Sequence, residues 1–178
     1  MNYYRPTFYR YLKACAEIEK CMTLIYEHFA QQESSDERLQ SIWQLLAEEE
    51  RQHVAQVELL YSTARKLRMN EKRFDCDQVF ELAKKAEHCL NKAFTMAYDP
   101  VAAIRLAVSL ETWTHELHAQ QRRSFDQDRF QFLFHTLASD DLQHIGQLHT
   151  IHNELSKDSE SLQSGSLQSG SFENVISF

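Results

Sequence analysis

Residues 39–60 read LQSIWQLLAEEERQHVAQVELL, and two polar residues in this stretch stand where apolar ones are due. Leu39, Ile42, Leu46, Val57 and Leu60 recur at steps of three and four, the spacing of one face of an α-helix. Glu50 and His53 fall on that same face, and the stripe continues through Ala64 and Leu67. The spacing predicts a helix from about Asp36 to Met69. Ser34 as cap with Glu37 three residues on would open it as a capping box.

The same interruption recurs along the chain. A helix from about Thr7 to Gln31 carries the stripe Leu12, Ala16, Glu19, Met22, Tyr26, Phe29. A helix from about Asp126 to Leu155 carries Phe130, Phe134, Leu137, Asp141, His144, Leu148, Ile151, Leu155. Asp99 before Pro100 reads as a cap followed by a first-turn proline. It opens a helix to about Ser124 whose stripe runs Ile104, Ala107 or Val108, then Glu111. A shorter helix, from about Asp77 to Ala97, separates the two pairs. With Gly 3 and Pro 2 in 178 residues, the chain lacks the turn residues an all-β fold needs. The expected fold is all-α: a four-helix bundle with one additional shorter helix between the two helix pairs, occupying residues 1–155 as one domain.

An ionised carboxylate in an apolar core is strongly unfavourable unless a cation or a proton meets it. Here each long helix brings one carboxylate, two bring a histidine as well, and no Lys or Arg shares those stripes nearby. Glu50-Arg51-Gln52-His53 sets a carboxylate and an imidazole one turn apart on one face, and Asp141-Leu142-Gln143-His144 repeats the arrangement. The interval from Glu19 to Glu50 nearly equals that from Glu111 to Asp141. The chain thus holds two copies of one unit, a single-carboxylate helix followed by a carboxylate-x-x-His helix. Four carboxylates carry about four negative charges, which two divalent ions neutralise, leaving both imidazoles neutral and free to coordinate.

A net charge of −7 without a basic tract argues against nucleic acid or an anionic membrane as partner. No apolar run approaches the length of a membrane span, and Met1 to Pro6 carries no apolar signal core, so a cytoplasmic location is expected. Cys15, Cys21, Cys76 and Cys89 form no C-x-x-C pair, which excludes a rubredoxin-type knuckle. They read as small buried hydrophobes.

Glu19 with Tyr26 one heptad later, the run Ala47-Glu48-Glu49-Glu50-Arg51-Gln52-His53, Glu111, and Asp141-Leu142-Gln143-His144 together resemble the rubrerythrin-like members of the ferritin-like superfamily. The likeness covers about residues 8–155. It implies a ferritin-like bundle with two iron ions, for which manganese is the alternative. It also implies an oxidoreductase that reduces peroxide or dioxygen, with ferroxidase capability. The implied metal ligands are Glu19, Glu50, His53, Glu111, Asp141 and His144. Glu50 and Glu111 would bridge the ions, and Tyr26 would join them in the chemistry. The pattern departs from the family in three ways. Asp141 is a shorter arm than the usual glutamate, and Thr114 stands where rubrerythrins carry a further carboxylate. No rubredoxin domain is expected, so an external electron donor is needed. The rival readings are an iron-handling protein without turnover and a metal-free helical interaction module. A homodimer is expected.

Tyr26 also reads simply as a core aromatic with a bonded hydroxyl. His115, His118, His149 and His152 are expected at the bundle end or surface, Glu48 and Glu49 on a solvated face, and Trp43 and Trp113 in packing. Residues 156–178 read as a flexible Ser/Gly/Gln-rich tail with Leu-Gln-Ser-Gly-Ser twice in tandem. A passive extension is the plain reading. Its Gly-Ser-Leu resembles the cargo-targeting tails of ferritin-like proteins in encapsulin shells, which would make it a docking peptide.

Overall fold

The computed structural model of the chain describes residues 5–33, 36–64, 76–123 and 128–168, for 5–7, 64 and 158–168 the backbone alone. Among the described residues it is all-helical, with no strand. The helices are α1 (Arg5–Gln32), α2 (Glu37–Ala64), α3 (Cys76–Thr95), α4 (Pro100–Arg122) and α5 (Asp128–Gln168). No helix among the described residues is long and apolar enough to cross a membrane.

Helix starts follow local chemistry. Asp99 has an extended backbone, and its carboxylate accepts the Ala102 N–H at 2.8 Å, with Pro100 filling the first helical position. At α2 Asp36 caps the helix. Its Oδ1 accepts from the N–H of Arg38 at 2.9 Å and of Leu39 at 3.1 Å. A carboxylate there both satisfies orphan donors and complements the positive end of the helix dipole. Ser34 lies outside the described residues, as do Leu67 and the expected α2 end at Met69.

The end of α5 differs from the one expected at about Leu155. Helix α5 continues past Leu155 to Gln168, where a flexible segment was expected from Ser156 onward. Lengthening an existing helix needs no new nucleus, and Lys157, Glu160, Leu162 and Gln163 are good helix formers. Residues 169–178, with the second Gly and the Phe-Glu-Asn-Val-Ile-Ser-Phe end, lie outside the described residues.

Helix α1 packs along α2, and α4 along α5, while α3 lies against α1. Contacts of α3 with α4 and of α2 with α5 are fewer. Val79, Leu82, Ala86 and Ala93 form the buried face of α3. The tilted ring contact of His28 with Phe94 (4.4 Å) and the Arg10 guanidinium over Phe80 (5.1 Å) add to the α1–α3 contact. Exposed ion pairs such as Lys20–Glu58 and Arg38–Glu154 link helices on the outside, where each contributes about 0–1 kcal/mol.

Every apolar stripe residue with a described side chain is buried or packed against the core. Two aromatic groups lie on either side of Glu19 along α1. Before it, Phe8 meets Phe130 edge-on (5.7 Å) and Tyr11 meets Phe134 (6.4 Å). After it, Tyr26 stacks on Trp43 (5.8 Å), which also packs on Phe29 (5.2 Å). Trp43 is thus the expected packing residue, and Trp113 is half-buried beneath the Lys85 ammonium. Cys15 is buried and the other three cysteines are half-buried, all as free thiols.

Candidate metal centre

Glu19 of α1, Glu50 and His53 of α2, Glu111 of α4, and Asp141 and His144 of α5 are all buried, the four carboxylates completely. Five of the six converge in two groups of three. Glu19, Glu50 and His53 each place one ligand atom within 4.8 Å of the others, and so do Glu50, Glu111 and His144. Glu50 belongs to both, and its two oxygens divide between them. Its Oε2 lies 3.1 Å from His53 Nδ1, which is also 3.6 Å from Glu19 Oε2. Its Oε1 lies 3.3 Å from His144 Nδ1, which is equally 3.3 Å from Glu111 Oε2. The two imidazoles face each other across Glu50, with ring centres 6.0 Å apart. Glu111, expected to bridge like Glu50, belongs to one group only.

Asp141 lies in neither group. Its Oδ2 instead accepts from His118 Nδ1 at 2.8 Å, and the far nitrogen of that ring, Nε2, lies 3.3 Å from Glu19 Oε1. His118 is fully buried, so its expected place at the bundle end or surface is wrong. The stripe of α4 contained the signal. Ile104, Ala107, Glu111, Thr114, His118 and Gln121 continue the steps of three and four, and all six are buried. His115 is half-buried and tied to Ala138 O at 2.8 Å. His149 is exposed and His152 partly so.

Carboxylates also hold the outer sides of the rings. His144 Nε2 is 2.8 Å from Glu49 Oε2, and His53 Nε2 is 3.4 Å from Asp140 Oδ2. In neutral rings whose inward Nδ1 atoms served a metal, the protons would sit on these outer nitrogens, where a carboxylate accepts them. Glu49, expected on a solvated face, therefore supports the centre, whereas Glu48 stays exposed and pairs with Arg51. The Tyr26 hydroxyl donates to Glu111 Oε1 at 2.7 Å.

So many buried acids and bases perturb one another. Burial alone would raise Glu19, but hydrogen bonds from Glu50, His118 and His53 hold it well below the usual carboxylate range. Burial and the charges of Glu111 and Glu19 push Glu50 well up. Burial likewise raises Glu111 against the pull of His144, and Asp141 against that of His118. Burial would lower the histidines, but the facing carboxylates prevail. They push His53 up to about 12, His118 to about 10 and His144 to about 11. Burial and the neighbouring Glu111 raise Tyr26 well above its ordinary value, so it stays a neutral donor. Without a metal, protons must do the neutralising.

Even so, Glu19 Oε1 and Oε2, Glu50 Oε1, Glu111 Oε2, Asp141 Oδ1, His118 Nε2 and His144 Nδ1 are buried without a well-formed hydrogen bond. Unpaired buried polar atoms are rare in folded proteins, and here they cluster and point at one another. Hard carboxylate oxygens with imidazole nitrogens suit a divalent first-row metal, so the residues fit such ions. No family model, curated protein or solved structure matches the chain. The chemistry of these side chains therefore carries the functional argument.

Proposed function

We propose that α1, α2, α4 and α5 form a ferritin-like four-helix bundle holding two iron ions, and that the chain is a rubrerythrin-like oxidoreductase reducing peroxide or dioxygen. The supporting observation is the division of Glu50, with one oxygen in each three-residue group and each group completed by one further glutamate and one imidazole. One carboxylate serving two ions is the usual construction of helix-bundle di-metal centres. The side chains would hold two ferrous ions, which would supply the two electrons that, with two protons, reduce peroxide to water or dioxygen to peroxide, an external donor restoring them.

The chain's own residues prepare that chemistry. Glu49 and Asp140 fix the tautomers of His144 and His53. Tyr26 holds one oxygen of Glu111 and leaves the other facing His144. The aromatic groups around Phe134 and Trp43 surround the polar level with apolar packing, which strengthens every charge interaction inside it.

Anaerobic titration with ferrous iron, followed by peroxide with a reductant, tests the proposal. About two ions per chain are expected. Glu50→Ala should lose both, while Glu48→Ala should bind as the wild type does. Equal binding by these two variants would place the site elsewhere. Iron bound without peroxide or dioxygen turnover would make the chain an iron-handling protein, and no bound metal would leave an interaction module. Preference for manganese in the same titration would change the cofactor but not the site.

A further inference from the structure

His118 repeats the construction of the two imidazoles inside the groups. His53 and His144 each turn one nitrogen toward the central glutamates and the other toward an outer carboxylate, Asp140 and Glu49 respectively. His118 does the same with its nitrogens exchanged. Nδ1 is on Asp141 at 2.8 Å, and Nε2 faces Glu19 Oε1 at 3.3 Å. We infer that His118 is a third imidazole ligand, binding through Nε2 to the ion held by Glu19, Glu50 and His53, and that Asp141 is its outer carboxylate rather than a ligand. This rests on the di-metal reading and completes it.

Asp141 Oδ2 accepts, so Nδ1 bears the proton, and in the neutral ring Nε2 presents a bare lone pair. That lone pair points at a carboxylate oxygen that is itself fully buried and without a well-formed hydrogen bond. Two lone pairs 3.3 Å apart repel unless a cation or a proton stands between them. Glu19 offers a different oxygen to each ring, Oε1 to His118 and Oε2 to His53, so an ion held by both oxygens has an imidazole on either side. Neither Asp141 nor His118 belongs to a three-residue group, but His118 faces a Glu19 oxygen whereas Asp141 turns to the far side of the His118 ring. A carboxylate on the far nitrogen of a bound imidazole is the ordinary partner of a metal-ligating histidine. The resulting centre is asymmetric: two imidazoles at the Glu19 ion and one at the Glu111 ion.

Cobalt(II), loaded anaerobically into the full chain, reports this without any turnover. A bound imidazole shows its N–H as a strongly shifted proton resonance that vanishes in D2O. Three such signals are expected in the wild type and two in His118→Gln. Asp141→Asn keeps an acceptor for Nδ1–H and should retain three signals with undiminished cobalt content. Two signals in the wild type would overturn the inference while leaving the di-metal reading intact, and that count does not depend on any variant folding. Three signals in a folded His118→Gln, or an ion lost from Asp141→Asn, would overturn it equally. A wild type that binds no cobalt, or binds it without shifted N–H signals, would overturn both readings.

Discussion

Tyr26 donates its hydroxyl to Glu111 Oε1 at 2.7 Å while its ring stacks on Trp43, so one side chain serves both the core and the centre. Tyr26→Phe keeps the ring but strips a fully buried carboxylate oxygen of its donor. A loss of about 1–3 kcal/mol in the metal-free protein is expected, the usual cost of such an orphaned group. Urea unfolding of the two proteins measures it. Equal stability would mean that the bond contributes nothing to the fold. Tyr26 was legible in sequence because it follows Glu19 by one heptad on a single stripe. His118 follows Glu111 by the same heptad but was missed, because a place two turns past Glu111 suggests the bundle end or surface. The helical count distinguishes it from His115: His118 continues the buried row, and His115 lies beside it.

At the scale of elements, the helices themselves were readable from periodicity, and their ends were less so. Asp36 and Asp99 each accept backbone N–H groups at the start of a helix that carries a candidate ligand. Asp36→Ala and Asp99→Ala should each lower stability by about 1 kcal/mol, within the range for lost caps. Thermal melts at neutral pH would show it, and an unshifted midpoint in either variant would mean that the bond seen at that cap is not stabilising. The Asp99-Pro100 pair announces its cap in two adjacent residues. In Ser34-Ser35-Asp36-Glu37 serine and aspartate compete for the same role, so the sequence does not single out one cap. The extension of α5 to Gln168 has a similar origin. Propensity describes isolated residues, while a helix already propagating carries serines and a glycine along.

For the whole molecule, the buried acids and bases set a pH dependence. His53, His118 and His144 have folded values raised to about 12, 10 and 11, against about 6.5 when unfolded. The metal-free fold therefore holds protons that the unfolded chain releases. The stability these groups contribute is complete below about pH 6.5 and is lost progressively as pH rises through the folded values. Glu50, Glu111 and Asp141, also raised, act in the same direction from their own lower values upward. Glu19, held low, acts oppositely, and its contribution is lost only as pH falls in strong acid. Ions bound as proposed would replace those protons, so metal binding should release protons and tighten as pH rises. Melts of metal-free and cobalt-loaded protein at about pH 5.5 and about pH 8.5 should show a gap that widens at the higher value. A constant gap would mean that metal and protons do not compete for these side chains.

Sequence alone determined which residues share a helical face, because that face follows from 3.6 residues per turn and needs no knowledge of neighbouring helices. It therefore identified five helices, the buried rows, the four carboxylates interrupting those rows, and the duplicated carboxylate-x-x-His unit. It could not determine which atom meets which. That Glu50 turns one oxygen to His53 and the other to His144, that Asp141 turns to His118, and that Glu49 and Asp140 hold the outer ring nitrogens depend on how helices distant in sequence slide and rotate against one another. A shift of one residue along a helix is about 1.5 Å with a rotation of about 100°, enough to exchange a central residue for one on the outer side. Side-chain packing of the assembled core sets that register, so only the tertiary structure decided it.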